Sequence, residues 1–125
     1  MSGKTLESAP LTASPALCLV IVSAPADKAE SLARDLLEKR LCACVNVVPG
    51  VVSLYWWEAA ITRDTEALLL VKTRAELVAE LTRAILAVHP YSVPEVIGVG
   101  IQPGVGNPAY HAWVAAETEA SGGAR

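Results

Sequence analysis

Hydrophobic positions along this chain switch between two periods, and the switches mark the elements. Residues 17–23 are apolar at nearly every position, the pattern of a central strand buried on both faces. Asp27, with Glu30 three residues on, predicts the cap of a helix. Ala29, Leu32, Ala33, Leu36, Leu37 and Leu41 then recur at helical spacing with charges between them, a one-sided helix made to cover a sheet. Residues 44–58 change period again. β-branched and aromatic residues dominate this stretch, so it reads as one long extended arm bent at Pro49-Gly50. Alternation along a strand sends Tyr55 and Trp57 to one side of the arm and Leu54 and Trp56 to the other. A turn is expected near Ala59-Ala60, and a third strand over 62–72, whose centre at 67–71 is wholly apolar.

Thr73 and Glu76 have the spacing of a capping box. Leu77, Val78, Leu81, Ala84, Ile85 and Val88 predict a second amphipathic helix, stopped by His89-Pro90. A fourth strand over 96–101, a Gly/Pro loop over 102–108 and a short helix over 109–118 complete the body. The order β-α-β-β-α-β with a helical tail predicts an α+β, ferredoxin-like sandwich with a long hairpin arm between its second and third strands. Residues 1–16 and 120–125 read as disordered tails around a single domain at 17–119. Both helices belong on one face of the sheet. The other face and the two-sided arm need a cover, and a second copy of the chain supplies one most simply.

Composition adds limits rather than a function. The chain has 125 residues, 53% of them hydrophobic, with no Phe and a formal charge of −3. No basic run or stripe exists, so nucleic acid is not an expected partner. The longest apolar run, 16–22, is too short to span a membrane. Glu7, Pro10 and Pro15 argue against reading it as part of a secretory signal. Of the three cysteines, Cys42 and Cys44 would stand roughly 6.6 Å apart along a strand, near the outer limit for a disulfide. A reducing, cytoplasmic setting is expected.

Candidate chemistry is sparse. Cys44 and His89 are soft ligands suited to copper or zinc. Against that, Cys44 also reads as a small buried hydrophobe and His89 as a helix stop, since neither lies in a metal-binding spacing pattern. Cys42 would add a third donor only if the chain turned there, and Cys18 reads as core. Glu66 opens and Lys72 closes the apolar centre of the third strand, so either could face an anion-binding cleft or equally be a solvated strand end. Glu95 reads equally as a cleft residue or the start of an edge strand. Trp56, Trp57 and Tyr91 could stack a ligand or pack a subunit. No base and orienting group accompany Cys44, and glycines 98, 100, 104 and 106 do not form a nucleotide fingerprint. No enzyme is expected.

Several blocks together resemble the CutA family of divalent-cation tolerance proteins. They are Ser23-Ala-Pro25, Leu41-x-Ala-Cys44-Val-Asn, Pro49-Gly50-x-x-Ser53-x-Tyr-Trp-Trp-Glu58, Glu66, Leu70-x-Lys72-Thr73, His89-Pro90-Tyr91-x-x-Pro94-Glu95 and Tyr110-x-x-Trp113. The resemblance implies a ferredoxin-like fold similar to the PII signalling proteins, assembled as a tight homotrimer whose arms pair across subunits. It also implies tolerance of copper and other divalent metals, without an established enzymatic activity or a required cofactor. Two readings follow. One is weak metal binding through Cys44 and His89. The other is a PII-like sensor holding a small anionic ligand in an intersubunit cleft near Lys72, Glu66, Tyr91, Glu95 and Trp57. The chain departs from the family where Ala59-Ala60 replaces a common Gly-Lys, so the arm's turn must differ or carry strain. Val22 and Val88 stand where some relatives have Cys and His, which leaves fewer soft ligands.

Overall fold

The computed structural model describes residues 14–119. The predicted tails therefore lie outside the described residues, except for 14–16, which carry no helix or strand. The chain forms β1 (Leu17–Ala24), α1 (Ala26–Glu38), β2 (Cys44–Trp57), β3 (Ala60–Arg74), a 3-10 turn (Ala75–Leu77), α2 (Val78–Val88), β4 (Val96–Gly100) and α3 (Pro108–Glu117). The sheet order is β2-β3-β1-β4, and every neighbouring pair is antiparallel. β1 and β2, joined through α1, thus run parallel with β3 inserted between them. That is the split βαβ arrangement of the ferredoxin-like sandwich.

Register decides which residues face the helices. Val20 and Val22 of β1 and Leu69 and Val71 of β3 are fully buried against Leu36 of α1 and Leu81 and Ile85 of α2. The opposite face is set by the pairs Leu19↔Lys72, Ile21↔Leu70, Leu19↔Val99 and Ile21↔Ile97. Here the expectation of a first strand buried on both faces is corrected. β1 is central, but Leu19 and Ile21 are only half-buried and Ile97 and Val99 are exposed, because α1 and α2 cover one face alone. α3 shields just one end of this open face. There Arg74 of β3 donates to the Ala115 carbonyl at 2.7 Å and to Thr118 Oγ1 at 3.1 Å. Such bonds satisfy carbonyls that a helix C-terminus leaves unpaired, and the guanidinium suits the negative end of the dipole.

Both predicted helix caps are corrected. Pro25, not Asp27, precedes the first turn of α1, and no side chain caps it. Thr73 continues β3, and its buried hydroxyl donates to the Leu41 carbonyl at 2.7 Å. α1 ends at Glu38, short of Leu41, in a Schellman motif: Leu41 N–H bonds the Leu36 carbonyl at 3.1 Å and Arg40 N–H bonds the Leu37 carbonyl at 3.0 Å. Arg40 takes the left-handed conformation (φ 59°) that this motif requires. Its guanidinium reaches across to Glu117 at 2.8 Å and so ties the end of α1 to α3.

The arm extends well past the body. β2 is an edge strand whose register slips between Val48 and Val51, at Pro49-Gly50. An edge strand tolerates a residue without an N–H. β3 is longer than the predicted 62–72 because it stays paired with β2 to the tip, ending at Trp57↔Ala60.

Candidate functional site

Where the arm leaves the body, a cleft of about 380 Å³ opens, lined by Ser23, Ser53, Leu54, Tyr55, Glu66, Tyr91, Val93 and Glu95. Val51↔Glu66 and Ser53↔Asp64 register the two arm strands so that Ser53, Tyr55, Asp64 and Glu66 share one side. Glu66 is 6% exposed, and its Oε1 accepts a 2.8 Å hydrogen bond from the Tyr91 hydroxyl. Burial, and then that bond, pushes the Tyr91 phenol well above its usual range. Tyr55 donates to Asp64 in the same way, which raises its own phenol.

His89 holds the far wall in place. Its Nε2–H donates to the Ser23 carbonyl at 2.7 Å, while Nδ1 accepts the Tyr91 N–H at 3.2 Å. These two bonds define the neutral tautomer with the proton on Nε2. The imidazole and Tyr91 rings also touch, with centroids 4.7 Å apart. The turn after α2 is thereby bound to the end of β1, and Tyr91 is aimed at Glu66.

A second cluster lies at the other end of the open face. Lys72 donates to Asn46 Oδ1 and sits 3.8 Å from Cys44 Sγ. Tyr110 of α3 stands near the same thiol, and burial followed by that proximity raises the Tyr110 phenol. Cys42, just outside the strand, is buried, and desolvation with some help from Cys44 pushes its thiol up to about 12.

The structure therefore divides the residues predicted from sequence. Glu66, Tyr91 and Glu95 come together in the cleft. Lys72 lies six residues along β3 from Glu66, roughly 20 Å at 3.3 Å per residue. Trp57 stands at the arm's tip, a comparable distance beyond Val51, and is exposed. Cys44 pairs with Lys72, opposite Leu19, whereas His89 is fastened to Ser23, four residues further along β1. One chain does not bring Cys44 and His89 together, and both ring nitrogens of His89 are already engaged. Among the described residues, no group of three or more His, Cys, Asp or Glu side chains could hold a metal ion. The donor set of the described residues in one chain does not fit a divalent-metal centre. Ser23, Ser53, Leu54, Tyr55 and Val93 line the cleft without a signal in the sequence reading. The pairings Ser53↔Asp64 and Tyr55↔Thr62, counted back from a two-residue turn, place Ser53 and Tyr55 on the side of Glu66.

Comparison with known proteins covers nearly all of the described chain. The family model for the CutA1 divalent ion tolerance protein matches residues 18–117. A Protein CutA homolog of Xenopus laevis is 46% identical over 99 residues, 78% of this chain and 64% of that protein. Protein CutA of Mus musculus is 44% identical over 99 residues, 55% of its length. The chain thus spans a little over half the length of these vertebrate relatives. It spans 96% of the Divalent-cation tolerance protein CutA of Thermus thermophilus, at 40% identity and 80% of its own length. Among solved structures, CutA1 from Oryza sativa superposes with a TM-score of 0.81 at 39% identity, covering 86% of this chain and 98% of that one. The PII-like protein CutA from Nostoc superposes with a TM-score of 0.77 at 28% identity, covering 82% and 97%. The chain belongs to the CutA1 divalent ion tolerance family.

Proposed function

We propose that this protein serves divalent-ion tolerance as a non-enzymatic homotrimer whose arms clasp neighbouring copies. One observation carries the reading: among the described residues, nothing covers either side of the arm. Leu54, Trp56 and Ile61 are 67%, 72% and 68% exposed on one side, while Trp57 is half-exposed on the other. Side chains of this kind amount to about 600 Å² per copy. Burying half of that contributes roughly 7 kcal/mol at about 25 cal/mol per Å², comparable with a domain's net stability of about 5–15 kcal/mol. Folding and assembly are then coupled. Three copies is the number that the family resemblance implies, and cyclic closure would also cover the β2 and β4 edges. Placing a charge in that interface with Trp57→Asp tests the reading. Aggregated or unfolded protein is expected, and a stable, native monomer would overturn it.

Copper or another divalent ion is no required cofactor in this reading. A site built from Cys44 and His89 would need both residues from different copies and a rearranged imidazole. Titration calorimetry with copper and zinc on the wild type and the Cys44→Ala/His89→Ala variant decides the matter, and unchanged affinity is expected. The cleft at the arm's base, in the manner of a PII-like sensor, is the better supported ligand site. A cytoplasmic location, without a nucleic-acid or membrane partner, is part of the same reading, and the three free cysteines support it.

A further inference from the structure

We propose that the cleft at the arm's base binds a small organic cation, a primary ammonium or guanidinium group on a short apolar stem. This rests on the cleft being the protein's ligand site and reverses the charge expected of its occupant. The carboxylate of Glu66 is nearly enclosed, yet its only hydrogen-bond partner among the described residues is the Tyr91 hydroxyl. A carboxylate has more acceptor positions than one hydroxyl fills, and since no buried side-chain oxygen among the described residues lacks a partner, the Glu66 oxygen that Tyr91 leaves free opens onto the cleft. Among the described residues, no lysine, arginine or histidine forms an ion pair with Glu66, Glu95 or Asp64. Lys72, the cation expected there, lies at the far end of the face and is bonded to Asn46.

The rest of the lining agrees with this polarity. The two tyrosine hydroxyls already donate to Glu66 and Asp64, so they have no second proton to give an anion. What the cleft presents to an occupant is carboxylate oxygen, serine hydroxyl and aromatic face, with Val93 as the apolar part. An N–H-rich cation would meet the free carboxylate oxygen with charge-assisted hydrogen bonds, and the tyrosine rings attract the same charge. An inorganic divalent ion would need several converging oxygens in place of the two lining carboxylates. A cleft of about 380 Å³ admits a ligand of modest size.

The test is calorimetric titration of the full chain with 1,4-diaminobutane, butylamine, butyrate and magnesium chloride at matched ionic strength. The proposal expects saturable binding of the two amines, at one per chain, and none of butyrate or magnesium. Glu66→Gln retains an acceptor for Tyr91 but no charge, and Glu95→Gln changes an exposed side chain with little risk to folding. Each is expected to weaken amine binding at least tenfold. Amine affinity unchanged in both variants, butyrate binding as tight as the amines, or no amine binding to the wild type would each overturn the proposal. Light scattering on the same samples separates the two ideas: an intact trimer without amine binding defeats the cleft proposal alone, and a native monomer defeats the assembly.

Discussion

Trp57 and Ala60 face each other as the last pair of the arm, so Glu58 and Ala59 alone turn the chain. Both take positive φ, 49° and 66°, the signs a type I′ hairpin turn demands. For a residue with a Cβ that conformation costs roughly 1–2 kcal/mol. The strain anticipated from the missing family glycine is real, and it sits at the exposed end of the arm. Ala59→Gly is therefore expected to stabilise the protein by about 1 kcal/mol, read as a rise of a few degrees in Tm. An unchanged or lower Tm would mean that the turn relaxes at no cost.

The buried bond from Thr73 to the Leu41 carbonyl joins β3 to the chain just past α1. Thr73→Val keeps the shape and leaves that carbonyl without the bond, a loss of about 1–3 kcal/mol. Urea unfolding should show a lower midpoint with an unaltered slope.

Arg74 anchors α3 through the Ala115 carbonyl and Thr118. Removing a charged donor of this kind costs about 1.5–3 kcal/mol. Since the bonds lie at one helix end, Arg74→Met should act locally. Amide hydrogen exchange is expected to quicken in α3 while β1 and β3 keep their protection.

Cys42 ties stability to alkaline pH. Its thiol is pushed from 9.0 to about 12 in the folded chain. A raised folded pKa means that the native state holds the proton more tightly. The stabilisation is whole below pH 9 and is lost as pH climbs towards 12, at about 1.4 kcal/mol per unit. Tyr91 and Tyr110 are raised in the same direction and add to the loss above pH 10. Urea midpoints measured from pH 8 to 11 should fall more steeply for the wild type than for Cys42→Ala.

Most of the fold is legible in the order of hydrophobic periods, because burial dictates both. Val20, Val22, Leu69 and Val71 alternate towards the helices just as Leu36, Leu81 and Ile85 recur on them. The helix starts were misread because capping signatures are local. Pro25 already breaks the strand ahead of Asp27, and the pairing of Leu17 with Arg74 carries Thr73 into the sheet. The site was legible only in part. Tyr91 and Glu95 stand close in sequence and line one cleft with Glu66, yet the join depends on His89 bonding Ser23, a contact across 66 residues that no local pattern encodes. Glu66 and Lys72 share a strand face, and so looked like neighbours, but strand rise separates them by roughly 20 Å.

The central claim is that the uncovered arm exists to hold copies together. Size-exclusion chromatography with in-line light scattering, run across a hundredfold dilution, addresses it most directly. The account predicts one species of about three times the 13.1 kDa chain mass at every concentration. A 13.1 kDa species with native circular dichroism would contradict it.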